Sequence, residues 1–190
     1  MAKRRPSTPG RRETERVLSL DISSVAVGFG LFDRGKLSDY GRYRQRGEDH
    51  GERLHHFARW LYEMFKKLGP DEVVVEQPYP GHRRNTYGIL MLYIGVILMV
   101  HFHVFAVELP SENRVQPNLV KRSLKMPKGK DHEDRKRMMV VEINRLYGLN
   151  LKFKANDKTK RISEDDVADG IAVGRAWIQR NRPDGYEDKG

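Results

Sequence analysis

Three consecutive valines, Val73-Val74-Val75, restrict the fold of this chain more than any other stretch. A strand wetted on one face alternates apolar and polar residues, whereas one buried on both faces can be apolar throughout. Asp71 to Pro78 therefore reads as a strand inside a covered sheet, stopped by Pro78, which has no N–H to give a neighbour. Glu76 ends that interior strand. It is either a strand-end acid in water or a carboxylate placed for chemistry. Val17-Leu18-Ser19-Leu20-Asp21-Ile22 poses the same question. Ser19 and Asp21 share one strand face, opposite Leu18, Leu20 and Ile22. An ionised aspartate buried without a partner costs several kcal/mol. Asp21 either caps a turn at the strand end or belongs to a site.

The rest of the chain has the punctuation of an α/β protein. Val25 to Phe32 is a strand, Asp33-Arg34-Gly35 a turn, and Lys36 to Arg44 a third strand. Leu54, Phe57, Ala58, Leu61, Phe65 and Leu68 fall on one helical stripe across Gly51 to Leu68, ended by Gly69-Pro70. His55 and His56 lie beside the stripe and read as edge residues rather than ligands. Pro80 to Asn85 is a loop carrying Arg83 and Arg84. Thr86 to Phe102 is a helix that is apolar nearly all round, with Gly88 and Gly95 on one face. Such a helix is either central to the fold or packed on its copy in a dimer. Its apolar run, Ile89 to Val100, is shorter than the about 20 residues of a membrane span, so no membrane partner is expected. His103 to Leu109 reads as another strand, Pro117 to Leu124 as a short helix and Glu133 to Tyr147 as a longer one. The last helix starts at Ser163, a good N-cap, and runs to about Gln179. The expected division is a disordered basic arm over 1–16, one folded domain over 17–180 and a flexible tail over 181–190.

Charge narrows the partner. The net charge is +10, and it is gathered: +4 in residues 1–16, +5 in 121–137 and +4 in 152–161. Clustered positive charge suggests a polyanion, with a generic solubilising surface as the alternative. There are no cysteines, hence no disulfide or thiolate metal site, which fits a reducing, cytoplasmic setting. The basic N-terminus is not followed by the apolar run of a secretory signal.

The last helix adds two acids. At about 100° per residue, Asp166, Asp169, Gly170, Val173 and Trp177 fall on one face. Glu164 and Asp165 are accounted for by the helix dipole. Asp21, Glu76, Asp166 and Asp169 are thus four acids in largely apolar elements. Such a cluster can share protons or bind hard divalent cations such as Mg²⁺. An acidic centre in a basic protein is what a metal-dependent nuclease needs. The order of three antiparallel strands, helix, strand, helix, strand and acidic terminal helix describes a ribonuclease H-like α/β fold. It has a central mixed five-stranded sheet flanked by helices.

From Val17 to Trp177 the sequence resembles the RuvC family of Holliday junction resolvases, a branch of the ribonuclease H-like nucleases. The resemblance is carried by Leu20-Asp21, Val27-Gly28-Phe29-Gly30-Leu31, Val74-Val75-Glu76-Gln77, Pro117-Asn118-Leu119-Val120-Lys121 and the segment from Glu164 to Ala172. It implies that Asp21, Glu76, Asp166 and Asp169 form the metal-binding tetrad for two Mg²⁺ or Mn²⁺ ions, with Asp165 to be told apart from Asp166. It implies that Lys121 lies near the scissile phosphate and that Tyr79 stacks on a junction base, unless Tyr79 is a simple turn residue. A second family lysine, early in the next helix, has no clean match. Glu133 stands there, with Lys130 and Arg135 close by, so the transition-state cation is unassigned. Arg83, Arg84, Lys121, Lys125, Lys128, Lys130 and Arg135 are the DNA-binding candidates. The basic arm and the lysine-rich loop depart from the family pattern and suggest a divergent, phage-type member.

The expected activity is metal-dependent resolution of four-way DNA junctions by paired symmetric cuts, giving 5′-phosphate and 3′-hydroxyl ends. The protein would act as a C₂ homodimer on branched DNA, with no small-molecule cofactor. The alternatives are a nuclease on RNA–DNA hybrids or flaps and a non-catalytic binder of branched DNA.

Overall fold

A computed structural model describes residues 16–79, 81, 84–126, 129–155 and 162–181. Residues 1–15 of the expected basic arm, most of the lysine-rich loop and residues 182–190 of the tail lie outside the described residues. So do Arg83 and Lys128, and of Arg84 only the backbone is described. Arg16, expected in the arm, opens the first strand, and Asn181, expected in the tail, closes the last helix.

Among the described residues five strands form one mixed sheet. β1 (Arg16–Ile22), β2 (Ala26–Asp33) and β3 (Lys36–Arg44) are antiparallel neighbours, while β4 (Glu72–Glu76) runs parallel to β1 and β5 (Arg114–Val115) parallel to β4. The order across the sheet is β3-β2-β1-β4-β5, so β1 and β4 are adjacent and their C-terminal ends lie on one edge. Among the described residues five α-helices cover it: α1 (His50–Leu68), α2 (Arg84–Phe105), α3 (Pro117–Ser123), α4 (His132–Tyr147) and α5 (Asp165–Asn181).

The alternation of β1 sorts the two cores. Leu18, Leu20 and Ile22 pack with Val73, Val75, Phe57, Leu61 and Ile97 under α1 and α2. Val17 lies on the other face with Val74, Val115 and the residues of α3, α4 and α5. Val73, Val74 and Val75 are each no more than 1% exposed, as a doubly covered strand requires. The helix ends follow local chemistry. Asp49 accepts from the Glu52 N–H at 2.9 Å, and Asp131 from the Asp134 N–H at 2.8 Å. Gly69 and Gly148 close α1 and α4 in the left-handed region.

Two expectations change. His103 to Leu109 is not a strand. α2 runs on to Phe105, whose ring packs 5.5 Å from Phe65 and 4.8 Å from His101. Ala106 then turns with φ 56, and the Val107 carbonyl comes to 3.0 Å from His101 Nδ1. The fifth strand is instead the two-residue Arg114–Val115, paired with Val75 and Glu76. Second, the 21 residues Asn85–Phe105, with mean hydropathy 2.1, have the length and composition of a membrane span, which the shorter apolar run did not suggest. Their inner face is committed to the core through Tyr93, Ile94 and Ile97, each at most 1% exposed.

Asn113 ties β5 to the rest. Its amide donates to Glu72 Oε2 at 2.7 Å and to the Val73 carbonyl at 3.1 Å, and its Oδ1 accepts from the Trp177 indole at 3.1 Å. Asn113 is 1% exposed, so its loss strands buried polar atoms. Asn113→Ala is expected to cost about 2–3 kcal/mol and to lower the melting temperature by several degrees, read by circular dichroism.

Candidate active site

The site forms where α5 sits directly on the sheet. Asp21 pairs across the ladder with Gly28, and Gly28 pairs with Arg42, so the three lie in one row. Gly28 is bare because the α5 backbone occupies its side-chain space. A Cβ there would stand 1.6 Å from the Asp166 carbonyl oxygen. The fit is reciprocal, since a Cβ on Gly170 would meet the Gly28 carbonyl carbon at 2.4 Å. Buried Ser19, on the Asp21 face of β1, locks the contact by donating to the Gly170 carbonyl at 2.7 Å. Sheet and helix are thereby in backbone contact, and Asp166 is delivered beside Asp21.

Four carboxylates converge on this edge. Asp21 at the end of β1 hydrogen-bonds Glu76 at the end of β4. Burial first, then the charges of Glu76 and Asp166, hold the Asp21 carboxyl well above the usual carboxylate range. Burial lifts Glu76 to about 7, with the Asp169 charge adding to the rise while the Asp21 hydrogen bond and Lys121 oppose it. The four acids singled out in the sequence thus act on one another, and Lys121 acts on Glu76.

Two cations that sequence reasoning missed complete the cluster. Arg42 Nη1 donates to the Ser163 carbonyl at 2.5 Å and stands 3.4 Å from Asp166 Oδ1. Lys136 on α4 donates to Asp165 Oδ2 at 2.7 Å, and its charge lowers the Asp21 carboxyl. Asp165 is therefore not a surface acid answering the helix dipole. It is 2% exposed and anchors a lysine that faces the cluster. Arg42 was legible in principle from the hairpin register, which puts it two strands from Asp21. Lys136 carried no such signal. Arg135, the expected neighbour, is exposed and packs against Gly129. Lys121, Lys125 and Lys130 are exposed, and so is Tyr79 at 60% beside Gly81.

The donor set suits a hard divalent cation. It is all oxygen and acidic, and the charges of Glu76 and Asp166 raise the proton affinity of Asp21 as the charge of Asp169 raises that of Glu76. Among the described residues no group of three or more Asp, Glu or His side chains is already disposed around a point that could hold an ion. The reason is visible: Asp21 and Glu76 bond to each other, and Asp166 is turned toward Arg42.

No family model matches the chain. Curated relatives and solved structures do. A crossover junction endodeoxyribonuclease RuvC from Synechococcus sp. (strain RCC307) is 28% identical over 176 residues, covering 87% of this chain and 99% of that protein. The protein of the same name from Cutibacterium acnes (strain DSM 16379 / KPA171202) is 32% identical over 115 residues, 56% of this chain and 58% of that protein. This chain is thus similar in sequence to RuvC resolvases. The fold of RuvC from T. thermophilus, solved in complex with a Holliday junction substrate, superposes with a TM-score of 0.64 at 16% identity, over 88% of this chain and 96% of that one. The yeast mitochondrial Holliday junction resolvase Ydc2 superposes with a TM-score of 0.60 at 14% identity, over 87% of this chain and 78% of that one. The mixed five-stranded sheet flanked by helices, expected from the element order, is the fold observed, and it is shared with these resolvases.

Proposed function

We propose that this protein is a structure-selective, metal-dependent endodeoxyribonuclease. It resolves four-way DNA junctions in the cytoplasm by paired symmetric cuts, leaving 5′-phosphate and 3′-hydroxyl ends. One observation carries the reading: acids from β1, β4 and α5 act on one another at a single sheet edge, inside a protein of net charge +10. Metal dependence is what the resemblance to RuvC implies, and the all-oxygen acidic donor set supports it. Asp21, Glu76, Asp166 and Asp169 would hold two divalent ions, Mg²⁺ or Mn²⁺, which when bound supply an activated water and charge at the leaving oxygen.

The chain's own residues do the rest. Ser19 and the bare Gly28 hold α5 at the depth that brings Asp166 to Asp21. Arg42 orients the Asp166 carboxylate. Lys121 acts on Glu76 and Lys136 on Asp21, so both present positive charge to the cluster, where a scissile phosphate would gather negative charge. Lys136 then takes the role for which Glu133 is unsuited, from one helical turn further along α4. Tyr79, Arg83, Arg84, Lys125, Lys128, Lys130 and Arg135 are offered as the residues that hold the junction arms.

Paired cuts need paired sites. Along α2, Gly88, Leu92, Gly95, Met99 and Phe102 recur at four- and three-residue steps on the exposed face. Leu92, Met99 and Phe102 are each more than half exposed, and nothing lies within 4 Å of a Cβ built on Gly88 or Gly95. This apolar seam with two glycine notches is the homodimer interface we propose. Met99→Glu buries a charge there in the dimer and none in the monomer. The expected result is a shift from dimer to monomer in sedimentation, with junction cleavage no longer paired.

The test of the activity is a labelled synthetic junction incubated with and without Mg²⁺, beside an RNA–DNA hybrid of equal length, with cut positions mapped. Symmetric, metal-dependent cuts near the crossover are expected. Preferred cutting of the hybrid, or binding with no cutting in Mg²⁺ or Mn²⁺, would refute the reading.

A further inference from the structure

Where the end of α3 meets α4 and α5, the structure forms a half-open cavity of about 370 Å³ apart from the carboxylate cluster. Four of its lining residues are cationic, Lys125, Arg137, Arg145 and Arg175, against one acid, Glu142. Arg175 is only 3% exposed, so its guanidinium is built into the wall. Arg137 and Arg145 are held at the mouth by Asp134 at 2.7 Å and Glu142 at 2.8 Å. Lys125 is presented by a left-handed turn, φ 50, whose N–H donates to the Arg122 carbonyl at 3.1 Å. Met126, Met138, Val141 and Leu146 supply an apolar bed, and Val141 remains 58% exposed.

The chemistry of the lining selects its occupant. Guanidinium forks match phosphate oxygens, and polarizable methionines match the flat face of a base. Continuity selects the source. Lys121 of α3 and Lys136 of α4 serve the catalytic cluster, and Lys125 and Arg137, on the continuation of the same two elements, line the cavity. The cavity and the catalytic cluster therefore draw their cations from the same two elements.

We propose that this cavity is a second DNA-binding site, which takes a non-scissile phosphodiester and its unstacked base from the strand being cut. The proposal rests on the nuclease reading above and extends it. Its purpose is register: one phosphate held at a fixed distance determines which neighbour reaches the carboxylates.

The test uses the purified full chain and a labelled four-way junction, with binding measured in EDTA and single-turnover cleavage in Mg²⁺. Arg137→Ala/Arg145→Ala removes two cations that are 61% and 57% exposed, and so should fold normally. Val141→Glu puts an acid on the apolar bed. Lys67→Ala, on α1 across the sheet, is the control. The double variant is expected to bind about tenfold more weakly, with a log–log salt slope shallower by about 1 to 2. Val141→Glu is expected to weaken binding by a similar factor, and Lys67→Ala by less than about twofold. Cleavage at saturating protein should stay near wild type, with the cut position blurred over neighbouring phosphates. Cavity variants that bind like wild type, or lose no more than the control does, overturn the cavity while leaving the nuclease standing. That outcome would also fit a cavity that serves an acidic protein partner. A wild-type chain that neither binds nor cuts the junction refutes the nuclease reading itself.

Discussion

Asp21→Asn is expected to abolish junction cleavage, by on the order of 10³-fold or more, while junction binding stays intact and the ion-free protein becomes more stable. The two effects have one cause. Asp21 and Glu76 are buried against each other, and both titrate above the ordinary carboxylate range. A carboxyl whose pKa is raised on folding favours the folded state only while it keeps its proton. That contribution is complete below the unfolded pKa and is lost as pH rises through the folded one, about 7 for Glu76. At pH 8 that contribution is lost for Glu76, and the cost of holding Asp21 buried among acids is one that Asp21→Asn relieves. The expected gain in melting temperature is about 5 °C at pH 8 and close to nothing at pH 4. Adding Mg²⁺ should reverse the order, because only the intact carboxylates gain by binding it. Thermal melts across pH with and without Mg²⁺, set beside cleavage and binding assays, check all of this. Equal stability of the two proteins at pH 8 would remove the charge crowding, and unchanged cleavage would remove Asp21 from the site.

Gly28→Ala is expected to do more damage than the size of a methyl group suggests. The added Cβ would meet the Asp166 carbonyl oxygen at 1.6 Å and its carbon at 2.4 Å, and both are backbone atoms that cannot swing aside. α5 would have to lift from the sheet. It carries Val167, Ala168, Ile171, Ala172, Val173, Ala176, Trp177 and Ile178, all buried, so lifting it opens the core beneath. A loss of about 4 kcal/mol or more is expected, at the extreme of single substitutions. Urea denaturation followed by tryptophan fluorescence measures it, because Trp177 lies in the disturbed layer. Any folded remainder should cut poorly, since Asp166 and Asp169 travel with the helix. A stable, active Gly28→Ala protein would mean that α5 does not seat on β2 as described.

The amino-acid sequence by itself determined the local periods and the positions of the costly charges. Val73 to Val75 required a strand covered on both faces. The alternation of β1 put Ser19 and Asp21 together, and the helical period of α5 put Asp166 and Asp169 on one face with Trp177. Those are short-range facts, set by steps of two and 3.6 residues, and an acid in an apolar element is visible without any neighbour. Tertiary structure decided what depends on which elements touch. α2 continues through Phe105 because Phe65 and His101 receive that ring. β5 is reduced to two residues because Asn113 is held by Glu72, Val73 and Trp177. Arg42 reaches Asp166 only through the β2–β3 register and the closeness that Gly28 permits. Lys136 could not be chosen over Arg135 or Lys130 in a run of charges. One helical turn decides which lysine faces buried Asp165, and that rotation of α4 is set by the packing of Met139, Val140 and Ile143. A carboxylate announces itself by the cost of burying it, whereas a long, flexible cation acquires its role only from the partner that the fold brings within reach.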